Sequence, residues 1–115
     1  MYNGGMNLEN IKKLNIPKLP GIYQFKGKKG RIIYIGKAAN LRSRVLSYWR
    51  ESANHSPAKY SMLKQIDKIN WIETESEIEA LLLEANLIKK YQPPYNIALR
   101  DDKRFVYIKV SLEDE

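Results

Sequence analysis

The stretch "GIYQFKGKKGRIIYIG" constrains the fold of this chain more than any other part of the sequence. Two runs rich in isoleucine, tyrosine and phenylalanine, at residues 21–26 and 31–36, flank the turn sequence GKKG, a pattern typical of two antiparallel strands joined by a short loop. With an even-numbered loop centred on Lys28–Lys29, Tyr23 faces Tyr34 directly across the hairpin, and an odd-numbered loop breaks that pairing. Because aromatic cross-strand pairs commonly stabilise sheets, packing explains the two tyrosines as well as a functional role does.

The remaining segments are predicted to be mostly helical. Helices are expected at residues 40–50, 58–69 and 76–91 and within "NLENIKKLN", and short strands in "WIET" and "FVYIKV". Asn40 is the N-cap candidate of the helix at 40–50, and Ser76 and Glu79 have the spacing of a capping box. Since the first two strands form a hairpin, we expect an α+β fold in which a small antiparallel sheet packs against helices.

Basic residues are concentrated in the first 70 residues. The chain has 20 Lys and Arg against 13 Asp and Glu, a net charge of +7; residues 1–37 carry eight basic residues against one acidic, and residues 38–70 carry six against two. Such a surface attracts polyanions through the release of condensed counterions, which favours nucleic acid as a partner. A solvated basic surface is the alternative, and a membrane surface is disfavoured because no segment forms a basic amphipathic helix with a large apolar face.

Length and composition exclude several other classes. At 115 residues the chain has the length of a single domain, and it contains no cysteine, which excludes disulfides and thiolate metal sites. With His55 as the single histidine, zinc sites and histidine-centred triads are excluded as well. No run reaches about 18 apolar residues, so no transmembrane helix is expected. The N-terminus lacks the apolar region of a secretory signal, and we expect a cytoplasmic location.

Candidate functional side chains converge on the junction between the second predicted strand and the helix at 40–50. Lys37 directly follows the strand, and Arg44 and Tyr48, four residues apart, share one face of the helix. A single surface arginine in a basic protein is usually only solvated. The common origin of Lys37, Arg44, Tyr48 and the tyrosine pair at one junction favours a functional site.

One carboxylate falls on the apolar side of the predicted helix at 76–91. Steps of about 100° per residue place Glu84 among Ala80, Leu81, Leu87, Ile88 and Tyr91. A lone carboxylate among apolar side chains costs several kcal/mol unless a cation or hydrogen bonds compensate it. We therefore expect either a structural ion pair with Lys or Arg or a bound metal ion. Glu77 falls in the same sector, where the helix dipole favours a negative charge in the first turn.

These residues, taken in order along the chain, resemble the GIY-YIG nuclease family. The matching positions are "GIY" at 21–23, "YIG" at 34–36, Arg44, Tyr48, Glu84 and Asn96. The segments "LPGIY", "YIGKAANLRSRVLSYW", "EALLLEANLIKKYQPPYNIALRDDK" and "YIKV" are similar to the bacterial excinuclease branch of this family, and the loop "RESANHSPAKYS" matches least. From the extent of the resemblance we expect a partly helical extension at 1–16, the nuclease domain at 17–110, and a tail or the start of a linker at 111–115.

The resemblance implies a three-stranded antiparallel sheet and a site that hydrolyses a phosphodiester with one divalent cation, Mg²⁺ or Mn²⁺. It implies Tyr34 as the general base, Glu84 as the metal ligand, and Arg44 as the group that stabilises the phosphate and the transition state. The positions implied to orient these groups or to support the site are Tyr23, Lys37, Tyr48 and Asn96.

The general-base role of Tyr34 requires a phenol that ionises more readily than usual. A free tyrosine has a pKa of about 10, and we expect the positive charges of Lys37 and Arg44 to favour the phenolate. Covalent attack on the phosphate by Tyr23 or Tyr34 is the alternative mechanism.

The resemblance also implies a biological role. The substrate would be damaged double-stranded DNA, the reaction the 3′ incision of nucleotide excision repair, and the partner a UvrB-like repair protein contacted through domains outside this chain. The alternatives are a free-standing GIY-YIG nuclease with another role and a catalytically silent DNA-binding module.

Overall fold

A computed structural model of the chain describes residues 6–51 and 55–99. Its elements, in chain order, are α1 (Leu8–Lys13), β1 (Gly21–Lys26), β2 (Ile32–Ala38), α2 (Leu41–Arg50), α3 (Pro57–Gln65), β3 (Lys68–Glu73), α4 (Glu77–Tyr91) and α5 (Pro94–Ala98). The strands form one antiparallel sheet in the order β2-β1-β3. The predicted α+β fold with a three-stranded antiparallel sheet is therefore confirmed.

The hairpin of β1 and β2 forms as predicted, but its predicted register is wrong. Tyr23 lies opposite Gly36, and Tyr34 lies opposite Phe25. Tyr34 thus faces a residue two positions further along β1 than predicted. Because that offset is even, the two tyrosines remain on the same face of the sheet. Their ring centroids are 6.3 Å apart.

The connection between the strands and a β-bulge produce this register. Lys26 pairs with Ile32, which leaves a five-residue loop, an odd number that alone would turn the tyrosines to opposite faces. A bulge beside this pair makes Ile33 an extra residue on β2 and restores the alternation. The loop closes through left-handed backbone at Lys29 and Gly30, where φ is 63° and 74°.

The sheet separates two clusters of apolar side chains. The face that carries Tyr23 and Phe25 packs against α1, α2 and α3 and forms the larger cluster. The opposite face, which carries Ile22 and Ile35, is covered by α4 through Ala80. The second and smaller cluster therefore depends on a single helix.

The predicted helix at 58–69 is wrong at its C-terminal end. α3 ends at Gln65, and β3 occupies Lys68–Glu73, a longer strand than the predicted "WIET". The isoleucines of this segment have helical spacing, but the free edge of β1 pairs with it, and Ile69 lies opposite Phe25. Strand pairing with β1 therefore overrides the local helical pattern.

α2 and α4 begin at the predicted N-caps. The Asn40 Oδ1 accepts a hydrogen bond from the Ser43 N–H at 3.0 Å, and the Ser76 Oγ accepts one from the Glu79 N–H at 3.2 Å. The Glu79 carboxylate accepts from the Glu75 N–H at 2.9 Å rather than from the Ser76 N–H. The predicted capping box is therefore only half formed.

The face of α4 that packs on the sheet differs from the predicted apolar sector. Leu83 joins Ala80 in the contact with the sheet. Leu81 and Tyr91, predicted on this face, are 48% and 45% exposed. The buried strip thus extends to Leu83 and leaves out Leu81 and Tyr91, and the half-buried Glu84 lies within it, between Ala80 and Ile88.

Two further predictions concern the C-terminal part of the chain. The predicted "FVYIKV" strand lies outside the described residues. α5 was not predicted; it begins at Pro94, shortly after α4 ends through left-handed backbone at Gln92. Within residues 6–51 and 55–99, no helix has the length and apolar character needed to cross a membrane.

Candidate active site at the edge of strand β2

The open edge of β2 is completed by side chains from α4 and α5. The Asn96 side chain occupies this edge as a neighbouring strand would, because its Oδ1 accepts from the Ile35 N–H and its Nδ2 donates to the Ile35 carbonyl, both at 2.9 Å. Alternate residues of a strand direct their backbone groups to the same edge. The Lys37 N–H therefore points to this edge as well, close enough to the Glu84 carboxyl group to lower its pKa.

Three tyrosines and Phe25 form an aromatic cluster on the face opposite α4. The hydroxyl oxygens of Tyr23 and Tyr48 are 2.8 Å apart. The Tyr23 ring centroid lies 5.9 Å from that of Tyr48 and 6.3 Å from that of Tyr34, and Phe25 packs against all three rings. Tyr23 and Tyr48 are buried, while Tyr34 is only half-buried and is the tyrosine accessible at the edge.

The glycine of the "YIG" motif is explained by the Tyr23 ring. Gly36 lies directly opposite Tyr23, and a Cβ added at Gly36 would overlap the ring and hydroxyl of Tyr23. Any larger residue would have to displace this ring from its hydrogen bond with Tyr48. The close contact with the Tyr23 ring therefore explains why position 36 of the "YIG" motif is a glycine.

Arg44 brings a positive charge to the aromatic cluster from α2. Its guanidinium carbon lies 5.2 Å from the Tyr48 ring centroid, a cation–π distance. Its charge also interacts with the phenol groups of Tyr23 and Tyr34. The interaction with Tyr23 is the largest of the effects that raise the pKa of Arg44, so the guanidinium stays charged.

Burial raises the pKa of all three tyrosines of the cluster. For Tyr34, burial is the largest effect, Tyr48 and the Glu84 carboxylate raise the pKa further, and Arg44 lowers it. The expected influence of Arg44 is therefore present but is outweighed. Lys37, the other group expected to favour the phenolate, acts on Glu84, whose pKa it lowers.

Glu84 is a half-buried carboxylate at the same edge. Burial raises the pKa of its carboxyl group, and the ammonium and backbone N–H of Lys37 only partly offset this. Among the residues that the structure describes, the ion pair of Lys37 is with Glu77, at 3.2 Å from Nζ to Oε2, and Glu84 has none. Of the two explanations considered from the sequence, a structural ion pair is therefore not the one found in the described residues.

The donors at this edge fit a hard divalent cation. Mg²⁺ is commonly bound by one or two carboxylates and retains several waters, and Glu84 supplies one carboxylate that burial has partly removed from water. The described parts of the chain contain no group of three or more His, Cys, Asp or Glu side chains that could hold a metal ion. A site with one protein carboxylate suits Mg²⁺ or Mn²⁺ and does not suit a structural zinc ion.

Two residues near Tyr48 were not predicted as site residues from the sequence. The His55 Nε2 lies 2.8 Å from the Tyr48 carbonyl oxygen, and the two rings are 5.9 Å apart. The Lys59 ammonium lies 5.6 Å from the Tyr48 ring centroid. No periodic pattern in residues 55–59 indicates these contacts, because they depend on how this segment folds back on Tyr48.

The fold and this arrangement of residues define a class of nuclease domain. The family model for the UvrC-like GIY-YIG domain matches residues 19–97, and the chain belongs to that family. A protein called UvrABC system protein C from Clostridioides difficile is 50% identical over 107 residues, which cover 93% of this chain and 17% of that protein. A protein of the same name from Clostridium acetobutylicum is 50% identical over 101 residues, or 88% of this chain and 16% of that protein.

A solved structure is similar over most of the described fold. The GIY-YIG N-terminal endonuclease domain of UvrC from Thermotoga maritima, bound to magnesium as its catalytic divalent cation, is 43% identical, with a TM-score of 0.65 over 76% of this chain and 96% of that domain. The predicted family, its endonuclease class and the divalent cation of the family are confirmed by these similarities. The chain spans about one sixth of the length of the curated relatives it matches.

Proposed function

We propose that this chain is a metal-dependent DNA endonuclease domain that hydrolyses a phosphodiester and makes the 3′ incision of nucleotide excision repair. The observation that carries the proposal is that Arg44, from the aromatic cluster, and Glu84, from α4, both act on the phenol of Tyr34 at the edge of β2. A carboxylate and a guanidinium that both act on one phenol supply the charges that phosphodiester hydrolysis needs.

Arg44 is proposed to bind the phosphate and to neutralise the charge that develops on it. A guanidinium presents several N–H donors in a planar fork that matches phosphate oxygens. The Tyr48 ring lies against this guanidinium, and the Tyr48 hydroxyl is held by Tyr23. The aromatic cluster therefore orients the guanidinium before a substrate arrives, which is the condition for strong electrostatic stabilisation of a transition state.

Glu84 is proposed to hold one divalent cation, Mg²⁺ or Mn²⁺, and Lys37 and Asn96 to position it. When bound, such an ion polarises a phosphoryl oxygen and stabilises the leaving oxygen. The Lys37 N–H lowers the pKa of the Glu84 carboxyl group, and the two hydrogen bonds of Asn96 hold the backbone of Ile35 two residues earlier on β2. Strand β2 thus presents a backbone N–H toward the carboxylate.

Tyr34 is proposed to act as the general base toward the attacking water. Its pKa is raised by burial and by the Glu84 carboxylate and lowered by Arg44. A cation held by Glu84 would replace a negative charge by a positive one at that position, and the effect on the Tyr34 phenol would change sign. Arg44 and the cation would then both favour the phenolate form of Tyr34, which is the form that can accept a proton from water.

The wider role belongs to the same proposal. Damaged double-stranded DNA as substrate, a UvrB-like repair partner contacted outside this chain, a cytoplasmic location and a domain at 17–110 are supported by the similarity to proteins called UvrABC system protein C and by the basic excess of the N-terminal half. That basic excess equally favours a catalytically silent DNA-binding module, which predicts salt-sensitive DNA binding without any effect of metal ions.

Nicking of supercoiled plasmid in the presence of Mg²⁺ or Mn²⁺ tests the proposal. Glu84→Gln keeps the size of the side chain and removes its charge, and we expect it to lower the rate by about 10²-fold or more, the scale of a lost transition-state contact. Glu79→Gln, which removes a charge from the outer side of the same helix, is the matched control and should cut normally. Undiminished cutting by Glu84→Gln would contradict the proposal.

A further inference from the structure

Lys37 lies between two carboxylates of α4. Its ammonium Nζ is 3.2 Å from the Glu77 Oε2, and the same ammonium lowers the pKa of Glu84 by electrostatic attraction. Glu77 and Glu84 are seven residues apart, which is about two helical turns and places both on the side of α4 that faces β2. Lys37 is thus within reach of both carboxylates but pairs with the one further from the proposed metal site.

We propose that Glu77 is a positioning residue that holds the Lys37 ammonium away from Glu84 and so keeps the Glu84 carboxylate available to a divalent cation. The inference rests on the proposed metal-binding role of Glu84. From the sequence, Glu77 was explained only by the favourable helix dipole in the first turn of α4. The structure adds a specific partner for its charge.

The competition follows from the flexibility of lysine and from the burial of Glu84. A lysine ammonium sits on a flexible four-carbon stem and can exchange one carboxylate for another. The Lys37–Glu77 pair is exposed, with side chains 33% and 55% accessible, whereas Glu84 is half-buried. Without the charge of Glu77, the Lys37 ammonium would still be attracted by Glu84, whose pKa it lowers. A cation would then have to displace the ammonium before binding.

Glu79 provides a control for the general effects of charge. It lies in the same first turn of α4 as Glu77 and has the same interaction with the helix dipole. Its carboxylate is directed to the Glu75 N–H instead of Lys37, and an amide oxygen in Glu79→Gln can accept that hydrogen bond equally. A difference between Glu77→Gln and Glu79→Gln therefore reports the contact with Lys37.

The test is the affinity of the whole chain for Mn²⁺ and Mg²⁺, measured by titration calorimetry without DNA. Glu77→Gln should weaken cation binding about two- to fivefold, the range set by the strength of an exposed ion pair. The cation affinity of Glu79→Gln should stay close to that of the unchanged chain. The double variant Glu77→Gln with Lys37→Met should recover the affinity that Glu77→Gln loses, because the competing ammonium is gone. Thermal unfolding of each variant confirms that it is folded.

Two results would overturn the proposal, and a third separates it from the proposed function. Equal affinities of Glu77→Gln and Glu79→Gln would show that the contact with Lys37 has no effect on the metal site. A loss in Glu77→Gln that Lys37→Met does not restore would show that Glu77 acts on the cation directly. If Glu84→Gln binds the cation as well as the unchanged chain, the metal-ligand role of Glu84 fails, and the positioning role of Glu77 fails with it.

Discussion

The two faces of the sheet contribute opposite kinds of chemistry to the edge of β2. On the side of α2, buried aromatic rings hold one another through short contacts, such as the 2.8 Å hydrogen bond between Tyr23 and Tyr48. On the side of α4, the functional groups are partly exposed charges: Lys37 pairs with Glu77 and also lowers the pKa of Glu84. The aromatic face is buried and raises the pKa of its phenols, while the charged face is more exposed and suits a dissociable cation.

The largest expected effect concerns Arg44, whose charge reaches the aromatic face from α2. Arg44→Ala should lower the rate of plasmid nicking by about 10²- to 10³-fold, because Arg44 lowers the pKa of Tyr34 and presents its guanidinium beside Tyr48. Arg50→Ala, at the exposed end of the same helix, is the matched control. Cutting at the normal rate by Arg44→Ala would show that the aromatic face only packs.

A smaller effect is expected from disturbing the close contact between Gly36 and the Tyr23 ring. In Gly36→Ala the new methyl group overlaps the Tyr23 ring, and we expect a loss of about 1–3 kcal/mol in the free energy of unfolding together with a loss of nicking activity. Gly30→Ala meets no atom within 4 Å but has φ of +74°. Backbone strain should lower the free energy of unfolding of Gly30→Ala by about 1 kcal/mol and leave its nicking activity intact. Urea unfolding and nicking assays compare the two variants. Equal losses of nicking activity in Gly36→Ala and Gly30→Ala would contradict a specific role of the contact with Tyr23.

The smallest effect concerns the neutrality of the buried phenols at high pH. An unfolded tyrosine has a pKa of about 10, and burial raises the folded-state pKa of Tyr23 and Tyr48 above that value. The stabilisation is therefore complete below about pH 10 and is lost as pH rises toward the folded-state pKa, because the unfolded chain then binds fewer protons. Between about pH 9 and pH 11, the free energy of unfolding should fall less steeply with pH in Tyr48→Phe than in the unchanged chain. The two slopes should differ by at most about 1.4 kcal/mol per pH unit, the contribution of one phenol.

Tyr60→Phe is the control for that measurement, since Tyr60 lies on α3 with half of its side chain exposed. Urea unfolding at several pH values should give the same alkaline slope for Tyr60→Phe as for the unchanged chain. An equal change of slope in both variants would mean that burial in the aromatic cluster is not its cause.

The local patterns of the sequence predicted part of what each face carries. The assumed even-numbered hairpin loop put Tyr23 and Tyr34 on one face, and the helical period placed Glu84 toward the sheet. The register failed because loop length and the bulge at Ile33 are set by backbone geometry that residue types do not specify. The shift of the buried strip of α4 toward Leu83 likewise depends on how the helix rests on the sheet.

The contacts that complete the edge are too distant in sequence for such patterns. Asn96 bonds the backbone of Ile35 across 61 residues, and Lys37 pairs with Glu77 across 40 residues. Asn96 was included among the site residues only because of the resemblance to the GIY-YIG family. The pairing of Glu77 followed from neither the residue pattern nor the resemblance and required the structure.

A crystal structure of the chain with Mn²⁺, in which anomalous scattering locates the ion, tests the central claim most directly. We predict one ion at the edge of β2, coordinated by a Glu84 carboxylate oxygen at a distance of about 2.0–2.6 Å. The remaining ligands should be waters on the side that faces Tyr34, and Lys37 should still be paired with Glu77. An ion bound elsewhere on the chain, or a Glu84 carboxylate paired with Lys37 beside a vacant edge at saturating Mn²⁺, would contradict the account.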